Sequence, residues 1–152
     1  MERLAENYFD KLHIIITRPF NYTSIGQNEY FLIPKIVKHF KERKKIIELG
    51  NLNISREFND ISFVCEAYKR LIESDIKSDI VNIASNRTIK LLDIIAMMNR
   101  IANYEIKVKV NYCFVRENDI EKLIGSSNKL FRLVGKIEQK DFEITLKEMY
   151  EA

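Results

Sequence analysis

Four polar side chains could bind an anionic ligand, because each stands where an apolar segment gives way to a loop. Ligands commonly bind at such junctions. The four are Asn21, Lys35, Arg56 and Arg116. An arginine guanidinium can make two charge-assisted hydrogen bonds to a diphosphate, and a lysine ammonium adds a point charge. Any one of these residues alone is more often an ordinary solvated surface residue, so an anion site needs further support.

The sequence offers few side chains for acid–base or nucleophilic catalysis. His13 borders a buried strand and His39 lies on a basic helix, and neither has a cysteine or carboxylate at the spacing of a triad or metal site. There is no G-x-G-x-x-G and no G-x-S-x-G among only four glycines. Cys65 and Cys113 are far apart, which favours free thiols in a reducing compartment. We therefore predict no catalytic residue and no metal site.

Four short segments have the pattern of strands. Two are apolar runs typical of strands buried on both faces, one is a short strand ended by Gly50, and one alternates apolar and polar residues. In chain order they cover residues 13–17, 46–49, 80–83 and 105–112. The polar residues 21–30 follow the first strand and are predicted to form a loop that covers a ligand.

Helical periodicity lies between these strands and after them. The first helix is predicted over residues 2–12, with Leu4, Tyr8 and Leu12 on one face and no capping side chain before it. Two closing helices are predicted at 128–134 and 141–150. Residues suited to helix starts and ends are Pro34, Asp60, Thr88, Asn103 and Asp141. The alternation of strands and helices predicts an α/β domain with a mostly parallel sheet.

Composition restricts the class of protein. The 152 residues, 46% of them hydrophobic, suffice for one domain with a core but are few for two. The net charge is +3, from 25 basic and 22 acidic residues, which is too small to predict binding to nucleic acid or an anionic membrane. No apolar run approaches the roughly 18 residues of a membrane span, and the N-terminus has no signal-peptide pattern. We expect a cytoplasmic protein.

Five motifs, in one order along almost the whole chain, resemble those of extended short-chain dehydrogenases/reductases that act on nucleotide sugars. Residues 18–27 (RPFNYTSIGQ) are similar to that family's R-P-F-N-H-T-G-x-G-Q, and 31–37 (FLIPKIV) to its F-x-I-P-K-I-V. The other three are 49–58, similar to L-G-N-L-x-x-x-R-D-F, 81–85, similar to V-N-I-x-S-G, and 114–119, similar to R-P-x-E. The likeness is strongest to the GDP-mannose 4,6-dehydratase and GDP-4-keto-6-deoxymannose reductase group.

The resemblance implies the C-terminal part of a Rossmann-like nucleotide-sugar epimerase/dehydratase fold, with a few mostly parallel strands and about five helices. Residues 1–152 would form a single substrate-binding region. The family's glycine-rich NAD(P) fingerprint, its Ser/Thr and its Tyr-x-x-x-Lys pair all precede the matched region, so the N-terminal cofactor-binding half would be absent. Without that tyrosine and lysine, nothing here could exchange a proton with a sugar hydroxyl as hydride moves. We expect the isolated chain to be inactive and to bind no NADP or NAD tightly.

The resemblance also implies roles for residues in the first half of the chain. Asn21 would bond the sugar or its phosphate. Lys35 and Arg56 match positions that contact the nucleotide and its diphosphate. The backbone around Pro19 and Phe20 would border the nicotinamide of the cofactor.

In the second half, the resemblance implies that Tyr112, Arg116 and Asp119 hold the ribose and phosphate. With Asn21, Lys35 and Arg56, Arg116 is predicted to converge on one diphosphate. Asp119 stands where the family usually has Glu, and either carboxylate can accept both ribose hydroxyls. Six other residues depart from the family pattern, namely Ser24, Ile25, Glu57, Phe63, Glu117 and Ser126.

Two functional hypotheses follow. In the first, the chain is the nucleotide-sugar-binding portion of an NAD(P)-dependent nucleotide-sugar dehydratase, reductase or epimerase that acts on a GDP-linked 6-deoxyhexose. In the second, it is a free-standing, non-catalytic nucleotide-sugar-binding or regulatory interaction protein. A nucleic-acid site at the basic residues 38–45 is disfavoured, because cations near a helix C-terminus also stabilise the helix dipole.

The expected partner is a nucleotide-diphosphate sugar, with neither nucleic acid nor membrane. Self-association, as a homodimer or higher, is predicted as well. Strands 13–17 and 80–84 would lack the neighbouring strands of a complete sheet, so apolar faces and strand edges would be exposed.

Overall fold

The computed structural model describes residues 1–152 as six α-helices and nine short strands. The helices are α1 Glu2–Glu6, α2 Leu32–Lys41, α3 Ile61–Ile72, α4 Leu91–Ala102, α5 Asn128–Val134 and α6 Phe142–Glu151. The strands are β1 Ile15–Pro19, β2 Tyr22–Thr23, β3 Ile46–Leu49, β4 Ser55–Arg56, β5 Asn59–Asp60, β6 Asp79–Ile83, β7 Ile89–Lys90, β8 Lys107–Val110 and β9 Lys122–Leu123. The predicted α/β class is confirmed.

The strands form four small sheets rather than one. β1 pairs with β6, β2 with β5 and β3 with β8, each in parallel. β4 lies between β7, which is antiparallel to it, and β9, which is parallel. Four of the five pairings are parallel, so the prediction of mostly parallel strands is confirmed. Each two-stranded sheet leaves the outer edge of both strands without a strand partner in this chain.

Two hydrophobic cores support these sheets. The larger core packs α2, α4 and α6 over β3, and the smaller packs α3 and α5 against β6. Fully buried side chains in the larger core include Ile36, Phe40, Ile47, Ile94, Met98 and Leu146. Those in the smaller core include Ala67, Val81, Ile83 and Leu130.

Local signals fixed the ends of several helices. Pro34 lies in the first turn of α2. The Asp60 carboxylate accepts from the Ser62 N–H at 2.8 Å at the start of α3, and Asp141 accepts from the Glu143 N–H at 3.1 Å at the start of α6. Asn103 adopts the left-handed conformation after α4. No helix exceeds 12 residues, and none could cross a lipid bilayer.

The first predicted helix was too long. The helix ends at Glu6, and turns continue to residue 11. Leu4, Tyr8 and Leu12 are 61%, 46% and 56% exposed. Their periodicity indicated a buried face, but no element of this chain covers it. A helix this short gains little without such packing.

Two further local predictions were wrong in detail. Thr88 does not cap α4, because Ile89 and Lys90 form β7 and pair with β4, so the helix begins only at Leu91. The predicted strand 105–112 is limited to Lys107–Val110, and Val110 is exposed although the alternation places it on the same face as the buried Ile106. In both places, strand pairing between distant segments set the boundary.

Candidate functional site

A cleft of about 850 Å³ lies where β1 and β3 end, beside the first turn of α2. This volume is in the range of small-molecule sites, and the carboxyl ends of parallel strands are their usual position. Seven of the eight predicted site residues line it, namely Pro19, Phe20, Asn21, Lys35, Arg56, Arg116 and Asp119. The four polar residues that prompted the anion-site prediction are thus brought to one cleft from distant parts of the chain.

Tyr112 is the predicted site residue that does not line the cleft. It begins a 3-10 turn, Tyr112–Phe114, and is 84% exposed. The Asn111 side chain accepts from the Cys113 N–H at 3.0 Å and sets the start of this turn. Cys113 and Phe114, the two residues that follow Tyr112, line the cleft instead.

Arg56 is held firmly at the cleft wall. Its Nη2 donates to Asp119 Oδ1 at 2.5 Å, and the two side chains are only 13% and 19% exposed. Its Nη1 donates to the carbonyls of Ser55 at 3.1 Å and Glu121 at 3.3 Å. The parallel pairing of β4 with β9 brings these groups together. The guanidinium is therefore oriented by its neighbours before any ligand arrives.

Lys35 reaches the cleft from the first turn of α2. Its Nζ donates to the Glu48 carbonyl at 3.0 Å and lies 4.6 Å from the centre of the Phe114 ring, a cation–π distance. Gly50 allows the Phe114 turn to lie this close to the end of β3. A Cβ on Gly50 would stand 2.2 Å from the Phe114 carbonyl oxygen, so any side chain there would push the Phe114 turn outward.

Asn51 and Asn21 add two amide side chains to the polar lining. The Asn51 side-chain amide donates to the Arg116 carbonyl and to Asp119 Oδ2, both at 3.1 Å. The Asn21 carbonyl accepts from the backbone N–H of Asn59 at 2.9 Å and from its side-chain amide at 3.3 Å. The backbones of Arg116 and Asn21 are thereby fixed, and both side chains are exposed to the cleft.

The electrostatic balance of the cleft is positive. Its charged lining residues are Lys35, Arg56, Arg116 and Asp119, which gives a net charge of +2. Asp119 neutralises Arg56, whereas Lys35 and Arg116 form no ion pair within the chain and stand within reach of a bound anion. No group of histidine, cysteine and acidic side chains could ligate a metal ion. The arrangement is suited to a doubly negative group beside a partly apolar body.

Residues 1–149 match the family model described as GDP-mannose 4,6 dehydratase.

The chain belongs to the GDP-mannose 4,6-dehydratase family.

Curated relatives bear out this membership. The chain is 34% identical over 155 aligned residues to the GDP-6-deoxy-D-talose 4-dehydrogenase of Aggregatibacter actinomycetemcomitans, an alignment that covers 99% of this chain and 51% of the relative. It is 26% identical to the GDP-6-deoxy-D-mannose reductase of Pseudomonas aeruginosa over 80% of this chain and 42% of that enzyme. The family predicted from the motifs is confirmed. The chain spans about half the length of the curated relatives it matches.

Solved structures share the fold. A candidate epimerase from Burkholderia cenocepacia matches 99% of this chain with a TM-score of 0.96 and 41% identity, and the match covers 50% of that protein. RMD from Pseudomonas aeruginosa, solved with NADPH, matches 99% of this chain and 52% of its own, with a TM-score of 0.91 and 22% identity. The Rossmann-like epimerase/dehydratase fold predicted for this family member is therefore confirmed.

Three residues that shape the cleft of this family member were not predicted from the sequence. Gly50 and Asn51 both lie in the L-G-N-L motif, which is the sequence signal that could have indicated them. Glu57 was noted only as a departure from the family pattern. It is completely buried, and nothing in the local pattern distinguishes it from a surface glutamate.

Proposed function

We propose that this chain is the nucleotide-sugar-binding portion of an NAD(P)-dependent nucleotide-sugar dehydratase, reductase or epimerase acting on a GDP-linked 6-deoxyhexose. The convergence of Asn21, Lys35, Arg56 and Arg116 on one cleft carries the proposal. In it, residues 1–152 act as one substrate-binding region, and turnover requires a cofactor-binding half in addition to them. The GDP-sugar enzymes among the relatives support the choice of nucleotide.

The charges of the cleft support a sugar nucleotide as the ligand. The diphosphate that links a sugar to a nucleoside carries two negative charges, equal and opposite to the +2 of the lining residues. Lys35 and Arg116 approach it as cations without an ion-pair partner, and Arg56 adds a guanidinium already oriented by Asp119. Because each contact is charge-assisted, each contributes about 1.5–3 kcal/mol to binding.

The other predicted roles are compatible with a diphosphate bound near Lys35, Arg56 and Arg116. Asn21 offers an amide that makes no hydrogen bond within the chain, and it bonds the sugar or its phosphate. Asp119 has acceptor capacity beyond its bonds to Arg56 and Asn51, which suits the ribose hydroxyls. Tyr112 would have to rotate inward to contact the ribose, since it lies outside the cleft lining.

The chain's residues fit only one end of a nicotinamide cofactor. Pro19 and Phe20 form cleft wall that can border the nicotinamide, but the sequence has no glycine-rich loop to cradle the cofactor's phosphates. Bound NADP or NAD supplies hydride transfer in such enzymes. Here the chain's own part is to hold and orient the sugar nucleotide beside that wall. We expect no tight cofactor binding and no turnover by these residues alone.

Saturation-transfer NMR with GDP, GDP-mannose and NADP tests this function. GDP and GDP-mannose should bind weakly, with saturation transferred to their ribose and base protons. GDP-mannose should remain chemically unchanged after incubation with the protein and NADP or NAD. UDP and UDP-glucose are the control ligands that test the preference for guanine over uracil, and they should bind more weakly than GDP and GDP-mannose. Binding of NADP without binding of GDP or GDP-mannose would contradict the proposal.

A further inference from the structure

Glu57 directly follows Arg56 in the chain, and its side chain is completely buried behind the cleft without lining it. Four donors surround its carboxylate, and none of them is charged. Oε1 accepts from the Asn59 side-chain amide at 3.2 Å, from the Ser85 hydroxyl at 3.1 Å and from the Ser85 backbone N–H. Oε2 accepts from the Gly125 backbone N–H at 3.0 Å.

The four donors suit a side chain that only accepts hydrogen bonds. A carboxylate only accepts hydrogen bonds and has about four sites for them, which matches the four donors. The donors come from three segments far apart in sequence, so their directions are set by the fold. A glutamine of the same size would point its amide hydrogens at one set of donors, leaving buried N–H groups without acceptors.

Two of the three segments, those of Asn59 and Gly125, lead directly to residues of the cleft. Asn59 holds the Asn21 carbonyl with both its backbone N–H and its side-chain amide. Gly125 follows β9, whose segment carries the Asp119 that orients Arg56. Gly125 also touches Phe20, because a Cβ placed on it would lie 2.6 Å from Phe20 Cε2.

We propose that Glu57 is a positioning residue of the cleft, whose buried carboxylate joins the segments of Asn59, Ser85 and Gly125 and thereby fixes Asn21 and Arg56 in their ligand-binding orientation. Its contribution to nucleotide binding rests on the proposed function. Its effect on the two side chains does not, because the hydrogen bonds are present without a ligand.

The Glu57→Gln variant tests this geometry, with Thr145→Val as the matched control. Thr145 is also buried, and its hydroxyl donates one hydrogen bond at 2.8 Å to Asp60, which is outside the cleft lining. In ¹⁵N NMR spectra without ligand, Glu57→Gln should shift the Asn21 side-chain amide and the Arg56 Nε–H signals. It should also accelerate hydrogen exchange of the Ser85 and Gly125 amides. Thr145→Val should leave all four signals as in the wild type.

Titration with GDP adds the functional outcome. Glu57→Gln should weaken GDP binding by about tenfold or more, the loss of one well-oriented charge-assisted contact, whereas Thr145→Val should not weaken it. Side-chain signals of Asn21 and Arg56 that stay at their wild-type positions would overturn the inference, and so would an unchanged GDP affinity. If the wild type fails to bind GDP, the proposed function fails, and the ligand-free spectra still decide the role of Glu57.

A milder variant covers the case in which Glu57→Gln does not fold. Ser85→Ala removes only the hydroxyl donor to Oε1 and leaves both backbone donors and Asn59 in place. It should shift the same Asn21 and Arg56 signals in the same direction by a smaller amount. No shift in this variant would contradict the positioning role.

Discussion

Replacing Gly50 with alanine should displace the turn that carries Arg116. The new Cβ would stand 2.2 Å from the Phe114 carbonyl oxygen and 2.8 Å from its carbon. Ordinary contact begins near 3.4 Å, so the turn must move by about 1 Å, a form of overpacking that costs about 1–3 kcal/mol. Phe114 is 51% exposed, and the turn can therefore yield toward solvent. We expect the lower part of that range.

Two measurements follow from this displacement. In a domain of this size each kcal/mol lowers Tm by about 2–4 °C, so calorimetry should find a Tm lower by roughly 2–8 °C. Arg116 lies two residues after Phe114, and a shift of about 1 Å would break a charge-assisted bond to a phosphate worth about 1.5–3 kcal/mol. GDP affinity should therefore fall by roughly 10- to 150-fold, as measured by titration calorimetry.

Gly135→Ala is the matched control for Gly50→Ala. Gly135 ends α5 with φ of +77°, its Cβ would meet only an Arg70 nitrogen at 3.8 Å, and neither residue lines the cleft. With ψ of 171°, this positive-φ conformation is essentially restricted to glycine and costs an alanine about 1–3 kcal/mol, so stability should fall by a similar amount while GDP affinity is retained. Equal losses of affinity in both variants, or wild-type behaviour of Gly50→Ala, would refute the reasoning.

Three other predictions concern charge, pH and assembly. Arg116→Ala should weaken GDP binding by about tenfold or more at low salt, which titrations at two salt concentrations check. The variant should change the free energy of unfolding by less than about 0.5 kcal/mol, because the Arg116 guanidinium is exposed and forms no ion pair. Burial raises the pKa of the Asp60 carboxyl, but hydrogen bonds from Ser62 and Thr145, with the nearby Lys140, hold that pKa below its ordinary value. Its stabilisation is thus complete above an ordinary aspartate pKa of about 3.9 and is lost as the pH falls through the lower folded pKa, so Asp60→Asn should flatten acid unfolding followed by circular dichroism. The open edges of β1 and β6 predict self-association, which a monodisperse monomer in light scattering would contradict.

Elements with strong local signals could be predicted from the sequence. α2 combines Pro34 in its first turn with Ile36, Val37 and Phe40 on one face, and all three are buried. Asp60 and Asp141 cap their helices as their positions before apolar runs indicated. Such features depend on residues within one or two helical turns, so they can be predicted without knowledge of the rest of the fold.

Boundaries set by distant partners could not be predicted. The periodicity of Leu4, Tyr8 and Leu12 indicated a packed helix, but periodicity cannot tell whether any surface of the chain covers that face. Thr88 is a reasonable cap by its sequence position, yet pairing of β7 with β4, more than 30 residues earlier, moves the start of α4 to Leu91. Both errors arise where a long-range contact competes with a local preference.

The sequence alone determined the family, the α/β class and most of the cleft residues, because motif order and hydrophobic periodicity are properties of neighbouring residues. Only the tertiary structure decided which side chains meet. It pairs Arg56 with Asp119 across 63 positions and leaves Tyr112 outside the cleft. It also buries Glu57 among donors from residues 59, 85 and 125. A carboxylate is stable in such a place only where the fold delivers several donors to it, and that convergence cannot be read from its neighbours in the chain.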